Sequence, residues 1–464
     1  MNLIKEFLQK TKENSLTIHC VGDAMIDEYI DISINRISPE APIMIMHSED
    51  ESSIKRPGGA ANVAYQFKHF NTDVTLFCFY DENAARVFSK HNIEYKSAPF
   101  SGINCELPVK RRFIHDNSQV ARHDIEKPNC ALDSDLLDFV TKHVGNVIER
   151  SLPADVAILS DYHKGFFLSE EHNVMDFYRD TITIVDPKKG PIDKWHGCTI
   201  FKPNAKEAYE LSGKKNWKEQ AKFFQNKLEC ESVVITCGGE KVVGVHKNDF
   251  FCYKPSKRVE VESVIGAGDC FCAFFSMAVG QGYEAPQAAE IAWNAGSIYV
   301  QRKMNRPIVP AELAEDKLVD PADLKSRDFK LSFTNGCFDI VHSGHLSSLK
   351  FAKEQGDKLV VAVNSDESID RLKSTDDDKR PVKPLSERIA LLASLEFVDF
   401  VVVFEEDDPY EVIKTIMPDL IVKSADYDPE EVVGSDLVSV KIAPMIEGVS
   451  STDFINDWRD RSTN

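Results

Sequence analysis

The sequence predicts two consecutive α/β domains, and three observations support this prediction. The chain has 464 residues, which is enough for two or three domains with hydrophobic cores of their own. Short apolar runs alternate with longer stretches of helical periodicity, as they do in parallel sheets covered by helices. The alternation is interrupted after Val309 by a polar, acidic segment with prolines, and it resumes near residue 330. We therefore expect a first domain over residues 1–312, a connector over 313–328 and a second domain over 329–464.

In the first domain, short apolar runs are predicted to be buried parallel strands. Each of them ends near Gly, Asp or Pro, as such strands commonly do at their carboxyl ends. The predicted strands cover residues 16–22, 73–79, 155–160, 181–186 and 232–237. With helices between them they form a doubly wound sheet. Residues 32–47 and 109–120 are also rich in strand formers but break this rhythm, so we expect them to form a small β lid.

The second domain repeats the pattern on a smaller scale. Its predicted strands cover residues 330–335, 357–366, 397–404 and 418–424. They alternate with helical segments, which predicts a smaller, Rossmann-like parallel sheet.

The composition restricts the partners of this protein. The 55 Lys and Arg against 75 Asp and Glu give a formal charge of −20, which argues against binding to nucleic acids or to an anionic membrane. No apolar run approaches the ~18–20 residues of a membrane span, and the first residues lack the apolar stretch of a signal peptide. The 11 cysteines form no Cys-x-x-Cys pair, which favours reduced thiols. We expect a cytoplasmic protein whose partners are small molecules.

Residues 261–275 contain a glycine-rich turn that precedes an apolar helix. Gly266, Ala267 and Gly268 have almost no side chain, so their backbone N–H groups can approach an anion at the positive end of the helix. Asp269 is the first ionisable residue after the turn, and it is placed to accept the proton of a hydroxyl that attacks the terminal phosphate of ATP. The alternative is a turn in which Asp269 only caps the helix.

Polar side chains at two other turns suit a sugar or polyol. Asp23 and Asp27 follow the first predicted strand, where their carboxylates can accept hydroxyl groups. Gly58 and Gly59 form a second glycine-rich turn, and Asn62 after it offers both a donor and an acceptor.

Two further groups are candidates for binding phosphate and metal. Asn204 and Glu207 stand three residues apart at a predicted helix start, where Glu207 is placed to hold Mg²⁺ through water. The same spacing is that of a capping box, which is the structural alternative. Lys164 and Lys188 follow Asp residues at strand ends and are candidates for a substrate phosphate, although most exposed lysines are only solvated.

Together these segments resemble the ribokinase-like (PfkB) family of sugar kinases over most of residues 15–310. The resemblance implies that Asp269 is the catalytic base and that the turn before it is an anion hole. The ATP–Mg²⁺ site that it implies consists of Asn204, Ala205, Lys206 and Glu207, and the sugar site of Asp27, Gly58, Gly59 and Asn62. The sequence departs from the family at Ser263 and Ile265, where members often carry Asp and Thr, and this departure bears on a monovalent-cation site near the turn.

Residues 333–349 carry a second chemical pattern. A predicted strand ends near Gly336, and a helix begins near His342. His342 and His345 share its first turn, so both imidazoles can donate hydrogen bonds to an α-phosphate and a departing pyrophosphate. A zinc site is the alternative for a His-x-x-His pair, but a third ligand does not follow at a recognisable spacing.

This segment resembles the Gly-x-Phe-Asp…His-x-Gly-His signature of cytidylyltransferase-like nucleotidyltransferases, and the resemblance covers the whole second domain. Besides the histidines, it implies nucleotide binding by Thr334, Asn335, Gly336, Phe338, Asp339, Lys373, Ser450, Ser451 and Thr452. It also implies substrate contacts from Arg371 and Arg388. The final Ser/Thr-rich turn suits a triphosphate at a helix start, and an ordinary N-cap is the alternative.

A sugar kinase followed by a nucleotidyltransferase resembles the bacterial bifunctional enzymes that make nucleotide-activated heptose. The resemblance implies phosphorylation of D-glycero-β-D-manno-heptose 7-phosphate at its anomeric hydroxyl and adenylyl transfer to heptose 1-phosphate. It implies ATP as the substrate of both steps, Mg²⁺ as cofactor and a homodimer formed through the kinase domain. The residues after Lys423, together with Val449 and Ser451, depart from these enzymes. CTP, another sugar phosphate, or a kinase domain that only senses its sugar are therefore the alternatives.

Overall fold

The structure is a computed structural model of the chain. It describes residues 3–48, 53–96, 106–116, 118–126, 134–151, 153–167, 173–255, 259–302, 304–314, 317–375, 379–425 and 427–444. The chain divides into two compact units, Met1–Ile308 and Val309–Asn464. Within the described ranges, no helix is long and apolar enough to cross a membrane.

The first unit alternates strands and helices. Its strands are β1 (Leu16–Gly22), β2 (Ala24–Asp31), β3 (Ser33–Ile37), β4 (Met44–His47), β5 (Ser53–Gly59), β6 (Thr72–Phe77), β7 (Glu94–Lys96), β8 (Val109–His115), β9 (Ser118–Ile125), β10 (Val156–Ser160), β11 (Ile182–Asp186), β12 (Ile200–Phe201), β13 (Ser232–Cys237), β14 (Lys241–His246) and β15 (Asp249–Tyr253). Its α-helices are α1 (Leu3–Glu13), α2 (Ala60–Tyr65), α3 (Glu82–Lys90), α4 (Ser134–Glu149), α5 (Ala205–Ser212), α6 (Trp217–Leu228), α7 (Ala267–Gly280) and α8 (Ala285–Tyr299).

The main sheet of this unit confirms the predicted doubly wound architecture. Its strand order is β15-β14-β13-β12-β11-β10-β1-β6-β7. The strands from β7 to β13 are parallel, and β14 and β15 add antiparallel pairs at one edge. Strands β1 and β10 at its centre are almost entirely buried, and α7 packs against β10 and β11 and against α8. The carboxyl ends of these central strands therefore form the edge at which polar loops collect.

A second, smaller sheet has the order β5-β2-β8-β9 and forms the lid. Residues 109–120 contribute β8 and the start of β9 to it, as predicted. Residues 32–47, by contrast, form a separate hairpin of β3 and β4. The lid is completed by β2 and β5, which pair in antiparallel register so that Asp27 lies opposite Arg56.

The second unit is a smaller parallel α/β fold. Its strands are β16 (Leu331–Gly336), β17 (Lys358–Asn364), β18 (Phe400–Phe404), β19 (Leu420–Lys423) and β20 (Val440–Ile442). Its α-helices are α9 (Pro310–Leu313), α10 (Ser343–Glu354), α11 (Asp366–Lys373), α12 (Leu385–Ser394) and α13 (Tyr410–Ile416). The strand order is β18-β17-β16-β19-β20, with parallel neighbours throughout.

Alternate residues of β17 point to two hydrophobic clusters, one on each face of this sheet. Val360 and Ala362 belong to the cluster that α13 covers, and Val361 and Val363 belong to the cluster that α10 and α12 cover. Burial on both faces explains why the strand appears in the sequence as a continuous apolar run.

The structure corrects the expected connector over residues 313–328. The division between the units falls after Ile308, and the segment that follows it packs on the second unit. Leu324 is fully buried in the cluster beneath α13, and Leu318 pairs with Val401 of β18. A few apolar residues in a polar segment are enough to dock it, which is why its composition resembled that of a linker.

Candidate active sites

The first candidate site lies at the start of α7. Gly266 caps this helix with a positive φ of 75°, and no side chain bonds to its amino end. A Cβ atom on Gly266 would lie 2.6 Å from the amide nitrogen of Asn62 and 2.6 Å from the Tyr299 hydroxyl, so only glycine fits there. A Cβ atom on Gly268 would meet nothing within 4 Å. First-turn N–H groups have no acceptor inside their helix, so this turn has the donors that an anion hole requires.

Asp269 lies in the first turn of α7 and is only 5% exposed. One carboxylate oxygen accepts a hydrogen bond from the Asn62 amide at 2.7 Å, and the other accepts one from the Tyr162 hydroxyl at 2.5 Å. Burial raises the pKa of Asp269 to about 6, although both hydrogen bonds lower it. The group is thus largely ionised at neutral pH and more basic than an ordinary aspartate, which suits a general base.

Tyr162 is a residue that the sequence prediction missed. Besides its bond to Asp269, its ring has the ammonium groups of Lys110 and Lys188 at 5.5 and 5.2 Å from its centroid. The signal that could have found it is its position two residues beyond β10, at the carboxyl end of a buried strand.

The structure corrects the role expected of Asp23. Its carboxylate accepts the backbone N–H groups of Tyr162 and Lys164 at 2.9 Å each and that of Phe166 at 3.1 Å. Burial raises its pKa to about 6, and these three bonds oppose that effect. Asp23 is therefore committed to ordering the loop that carries Tyr162, and its oxygens already have donors where sugar hydroxyls were expected.

Asn62 is also committed to other side chains. Gly59, with a φ of 59°, turns the chain into α2, which carries Asn62 into the interior. The amide oxygen of Asn62 accepts a bond from Gln66 at 3.1 Å, and its nitrogen donates to Asp269. The structure thus places Asn62 as a group that orients Asp269, whereas the resemblance implied a sugar contact.

Asp27 lies next to Gly58 within a buried polar cluster. A Cβ atom on Gly58 would lie 2.8 Å from an oxygen of Asp27. Arg112 of β8 donates to Asp27 at 2.6 Å, and Asn305 donates to its second oxygen at 3.3 Å. Burial raises the pKa of Asp27, although Arg112 lowers it. Arg112 and Asn305 were not predicted because they are distant from Asp27 in the sequence.

The predicted capping box at the start of α5 is present. The Asn204 side chain accepts the N–H of Glu207 at 2.9 Å, and the Glu207 carboxylate accepts the N–H of Asn204 at 2.8 Å. The other Glu207 oxygen pairs with Lys188. Burial lowers the pKa of Lys188, but Asp186 and Glu207 outweigh burial and the pKa lies above its ordinary value. Asp186, at the end of β11, pairs with the buried Lys202 at 2.9 Å. Mg²⁺ commonly uses one or two carboxylates together with water and substrate phosphates, so Asp186 and Glu207 are candidate carboxylates for it.

The remaining residues predicted for this site either lie on the surface or form ion pairs within the protein. Ala205 and Lys206 are exposed, and Lys206 lies 3.8 Å from Glu210 on the same helix. Lys164 pairs with Glu126 at 2.7 Å, so the structure does not leave it unpaired for a phosphate. At the departure from the family pattern, the Ser263 hydroxyl accepts the N–H of Ile265 at 3.2 Å.

The second candidate site lies between the end of β16 and the start of α10. His342 is the N-cap of α10 and His345 is its third residue, and each side chain faces the backbone N–H of the other. Their ring centroids lie 4.0 Å apart, so the two imidazoles share one location, as predicted. Burial lowers the pKa of His342, and burial together with His342 and Lys373 lowers that of His345 to about 4. Both rings are therefore neutral at neutral pH.

The zinc alternative finds no support in the residues that the structure describes. Among them, no three His, Cys, Asp or Glu side chains converge on a point where a metal ion would bind. A structural zinc ion needs four ligands and a catalytic one three.

Residues at the end of β16 lie beside the histidines. Thr334, Asn335 and Gly336 are half-buried at the carboxyl end of the central strand. Phe338 is buried in the cluster that α10 covers, and its ring packs 5.4 Å from that of His345. It therefore supports the histidine from the core, whereas the resemblance implied nucleotide binding.

The structure corrects the roles implied for Asp339 and Arg388. Asp339 is buried and accepts bonds from Arg380 at 2.7 Å and from the N–H of Lys383 at 2.8 Å. Burial raises the pKa of Asp339, but these donors outweigh it and the pKa is lowered. Arg388 is 1% exposed and donates to Asp366 at 2.7 Å and to backbone carbonyl groups, one of them that of Cys337. Both side chains hold loops of the site in place and are not available to a phosphate.

Arg371 is likewise paired, with Asp407 at 2.7 Å. Lys373, at the end of α11, is exposed and close enough to His345 to lower its pKa, so it remains a candidate phosphate contact. Ser450, Ser451 and Thr452 lie outside the described residues. Lys423 at the end of β19 was not predicted, and its Nζ lies 3.5 Å from the carbonyl oxygen of Asn335.

Comparison with known proteins defines the class of this protein. Residues 169–311 match the pfkB family of carbohydrate kinases, and residues 333–456 match the cytidylyltransferase-like family. Phosphofructokinase-2 from Escherichia coli, solved in complex with potassium, superposes with a TM-score of 0.52 at 15% identity, over 63% of this chain and 94% of that chain. At this identity the likeness concerns the fold alone. The chain is a bifunctional transferase that combines a kinase with a nucleotidyltransferase.

Relatives that match along the whole chain define the family more narrowly. The bifunctional protein HldE of Nitratiruptor sp. is 34% identical over 467 residues, which cover 95% of this chain and 98% of that protein. The bifunctional protein HldE of Campylobacter jejuni subsp. doylei is 33% identical, over 98% of this chain and 99% of that protein. That of Caulobacter vibrioides is also 33% identical, over 95% of this chain and 96% of that protein. The chain belongs to the family of bifunctional HldE proteins.

Proposed function

We propose that the first unit phosphorylates D-glycero-β-D-manno-heptose 7-phosphate at its anomeric hydroxyl and that the second unit converts heptose 1-phosphate to ADP-heptose. The observation that carries this proposal is the chemistry of the two helix starts. One has a buried carboxylate next to a glycine turn, and the other has two neutral imidazoles. Because the second substrate carries a single phosphate, a phosphatase reaction must remove the distal phosphate between the two steps.

In the first unit, Asp269 accepts the proton of the anomeric hydroxyl while the oxygen of that hydroxyl forms a bond to the γ-phosphorus of ATP. The bond between the γ-phosphorus and the β–γ bridging oxygen breaks, and ADP leaves. The first-turn N–H groups of α7 stabilise the charge on the transferred group. Asp186 and Glu207 would hold Mg²⁺, which would neutralise part of the charge of the ATP phosphates.

In the second unit, a phosphate oxygen of heptose 1-phosphate forms a bond to the α-phosphorus of ATP. The bond from that phosphorus to the α–β bridging oxygen breaks, and pyrophosphate leaves. His342 and His345 donate hydrogen bonds to the oxygens on which charge grows. Because both rings are neutral before ATP binds, each offers one N–H, and the phosphates favour further protonation.

The variant Asp269→Asn tests this assignment, with products identified by mass spectrometry. We expect the parent protein to form the 1,7-bisphosphate and, from heptose 1-phosphate and ATP, ADP-heptose. The variant loses the first reaction by about 10²–10⁴-fold, the contribution of a general base, and keeps the second. A parent protein without sugar-dependent kinase turnover would favour the sensing alternative. A CDP-sugar formed from CTP would contradict the choice of ATP.

We also propose that the protein forms a homodimer through its kinase domain. The hairpin of β3 and β4 exposes the apolar side chains of Ile37, Ile43, Met44 and Met46, which are 69%, 61%, 56% and 43% exposed. Contiguous exposed apolar side chains are typical of protein interfaces. Light scattering should give the dimer mass for the parent and the monomer mass for Ile43→Glu. A monomeric parent would refute the proposal.

The proposed location of these reactions is the cytoplasm, where ATP is available. Reduced cysteines support it, since the nine cysteines that the structure describes are free thiols.

A further inference from the structure

Lys423 ends β19 at the carboxyl edge of the sheet in the second unit. From β16 the chain proceeds to β17 and β18 on one side and then returns to the other side of β16 with β19. In open parallel sheets, ligands bind in the crevice at such a reversal of strand order, outside the carboxyl ends of the strands. His342 and His345 follow β16, so they and Lys423 flank the same crevice.

Among the residues that the structure describes, Lys423 has no carboxylate as a counter-ion. Its Nζ lies 3.5 Å from the carbonyl oxygen of Asn335 and 4.9 Å from the ring centroid of Tyr427. Within the described part of the chain, it forms no ion pair with Asp or Glu, whereas the half-buried Lys353 of the same unit pairs with Asp399 at 2.7 Å. A half-buried ammonium without a carboxylate is poorly compensated until an anion reaches it.

The protonation of this lysine responds to the same surroundings. Burial lowers the pKa of Lys423 to about 8, although Cys337 opposes this effect. A bound phosphate would favour the ammonium form and raise the pKa again. The site thus gains its full positive charge when an anionic ligand is present.

We propose that Lys423 binds the phosphate of the sugar 1-phosphate, the nucleophile of the adenylyl transfer. This inference rests on the function proposed for the second unit. In an in-line displacement the attacking and leaving oxygens lie on opposite sides of the α-phosphorus. The histidines at the start of α10 are on the β16 side of the crevice and receive the leaving pyrophosphate. The attacking phosphate therefore enters on the β19 side, where Lys423 reduces the repulsion between the two anions.

Lys423→Met tests the proposal because methionine keeps the length of the side chain and removes its charge. We expect the dissociation constant of heptose 1-phosphate, measured by calorimetry, and its KM to rise about 10- to 100-fold, as for loss of a charge-assisted hydrogen bond. ATP affinity stays unchanged, which also shows that the unit is folded. Lys423→Arg recovers part of the loss. Lys441→Met is the matched control, since Lys441 on the neighbouring β20 is exposed and donates to Gln355 at 2.9 Å.

Each result decides between the possible roles of Lys423. Weaker ATP binding with unchanged binding of heptose 1-phosphate would overturn the proposal and assign Lys423 to the triphosphate. Equal binding of both ligands by Lys423→Met and the parent would also overturn it, and would leave the function of the unit intact. A parent protein that neither binds heptose 1-phosphate nor forms ADP-heptose would overturn the proposed function and this inference together.

Discussion

Replacing Tyr162 with Phe removes a single oxygen from the candidate kinase site and changes the proton affinity of Asp269, the proposed base. The Tyr162 hydroxyl donates to Asp269 at 2.5 Å, and this bond is one of the two that lower the pKa of a carboxyl group otherwise raised by burial. In the variant the ionised form loses a donor while burial is unchanged, so the pKa of Asp269 must rise. Because the base acts only when ionised, the low-pH limb of the kinase profile moves to higher pH.

The size of this change follows from the hydrogen bond. A bond to a charged group contributes about 1.5–3 kcal/mol, and about 1.36 kcal/mol corresponds to a tenfold change in proton affinity. The pKa of Asp269 is therefore expected to move from about 6 to about 7–8. At pH 7 the ionised fraction falls from about 90% to between about 50% and 10%. At a pH well above the new pKa, the rate recovers.

The assay is the pH dependence of kcat/KM for the kinase reaction between pH 5 and pH 9. Adenylyl transfer by the same preparation is the internal control, and Tyr209→Phe, at an exposed tyrosine of α5, is the matched control. A low-pH limb that stays near pH 6 would refute this account of Asp269. A rate lowered by the same factor at every pH would show that Tyr162 only positions substrate or backbone.

Three further variants probe the two sites. In Gly266→Ala the added Cβ would lie 2.6 Å from the side chain of Asn62, so the kcat of the kinase reaction should fall while adenylyl transfer persists. The control is Gly296→Ala, where an added Cβ meets nothing within 4 Å, and it should leave both reactions unchanged. His345→Ala should lower adenylyl transfer about 10²–10³-fold, as for the loss of an oxyanion donor, and a normal single-turnover rate would exclude it from the mechanism. Arg388→Met leaves Asp366 and several carbonyl groups without their hydrogen-bond donor. The free energy of unfolding of the second unit, measured with denaturant, should therefore fall by ~3 kcal/mol. An unchanged midpoint would contradict this role of Arg388.

Several of the strands that were predicted correctly, among them β1 and β10, are buried along almost their whole length. Such strands appear in the sequence as continuous apolar runs, and β1, β10, β13 and β17 begin or end within two residues of the predicted limits. Strands β7 and β12 have three and two residues and leave no pattern that a window of sequence can detect. The edge strand β15 is partly exposed, so its apolar and polar residues do not mark a buried run.

The residues of each candidate site that share one helix start could be found from the sequence alone. Asp269 follows its glycine turn directly, and His342 and His345 are three residues apart, so local helix geometry brings them together wherever the helix packs. The roles of Asp23 and Arg388 were decided only by the tertiary structure. The partners of Asp23 lie up to 143 residues away in the sequence, and those of Arg388 lie up to 51 residues away. Local sequence does not show which distant donor or acceptor a buried charged side chain will contact. Burial makes such partners obligatory, and chain folding selects them.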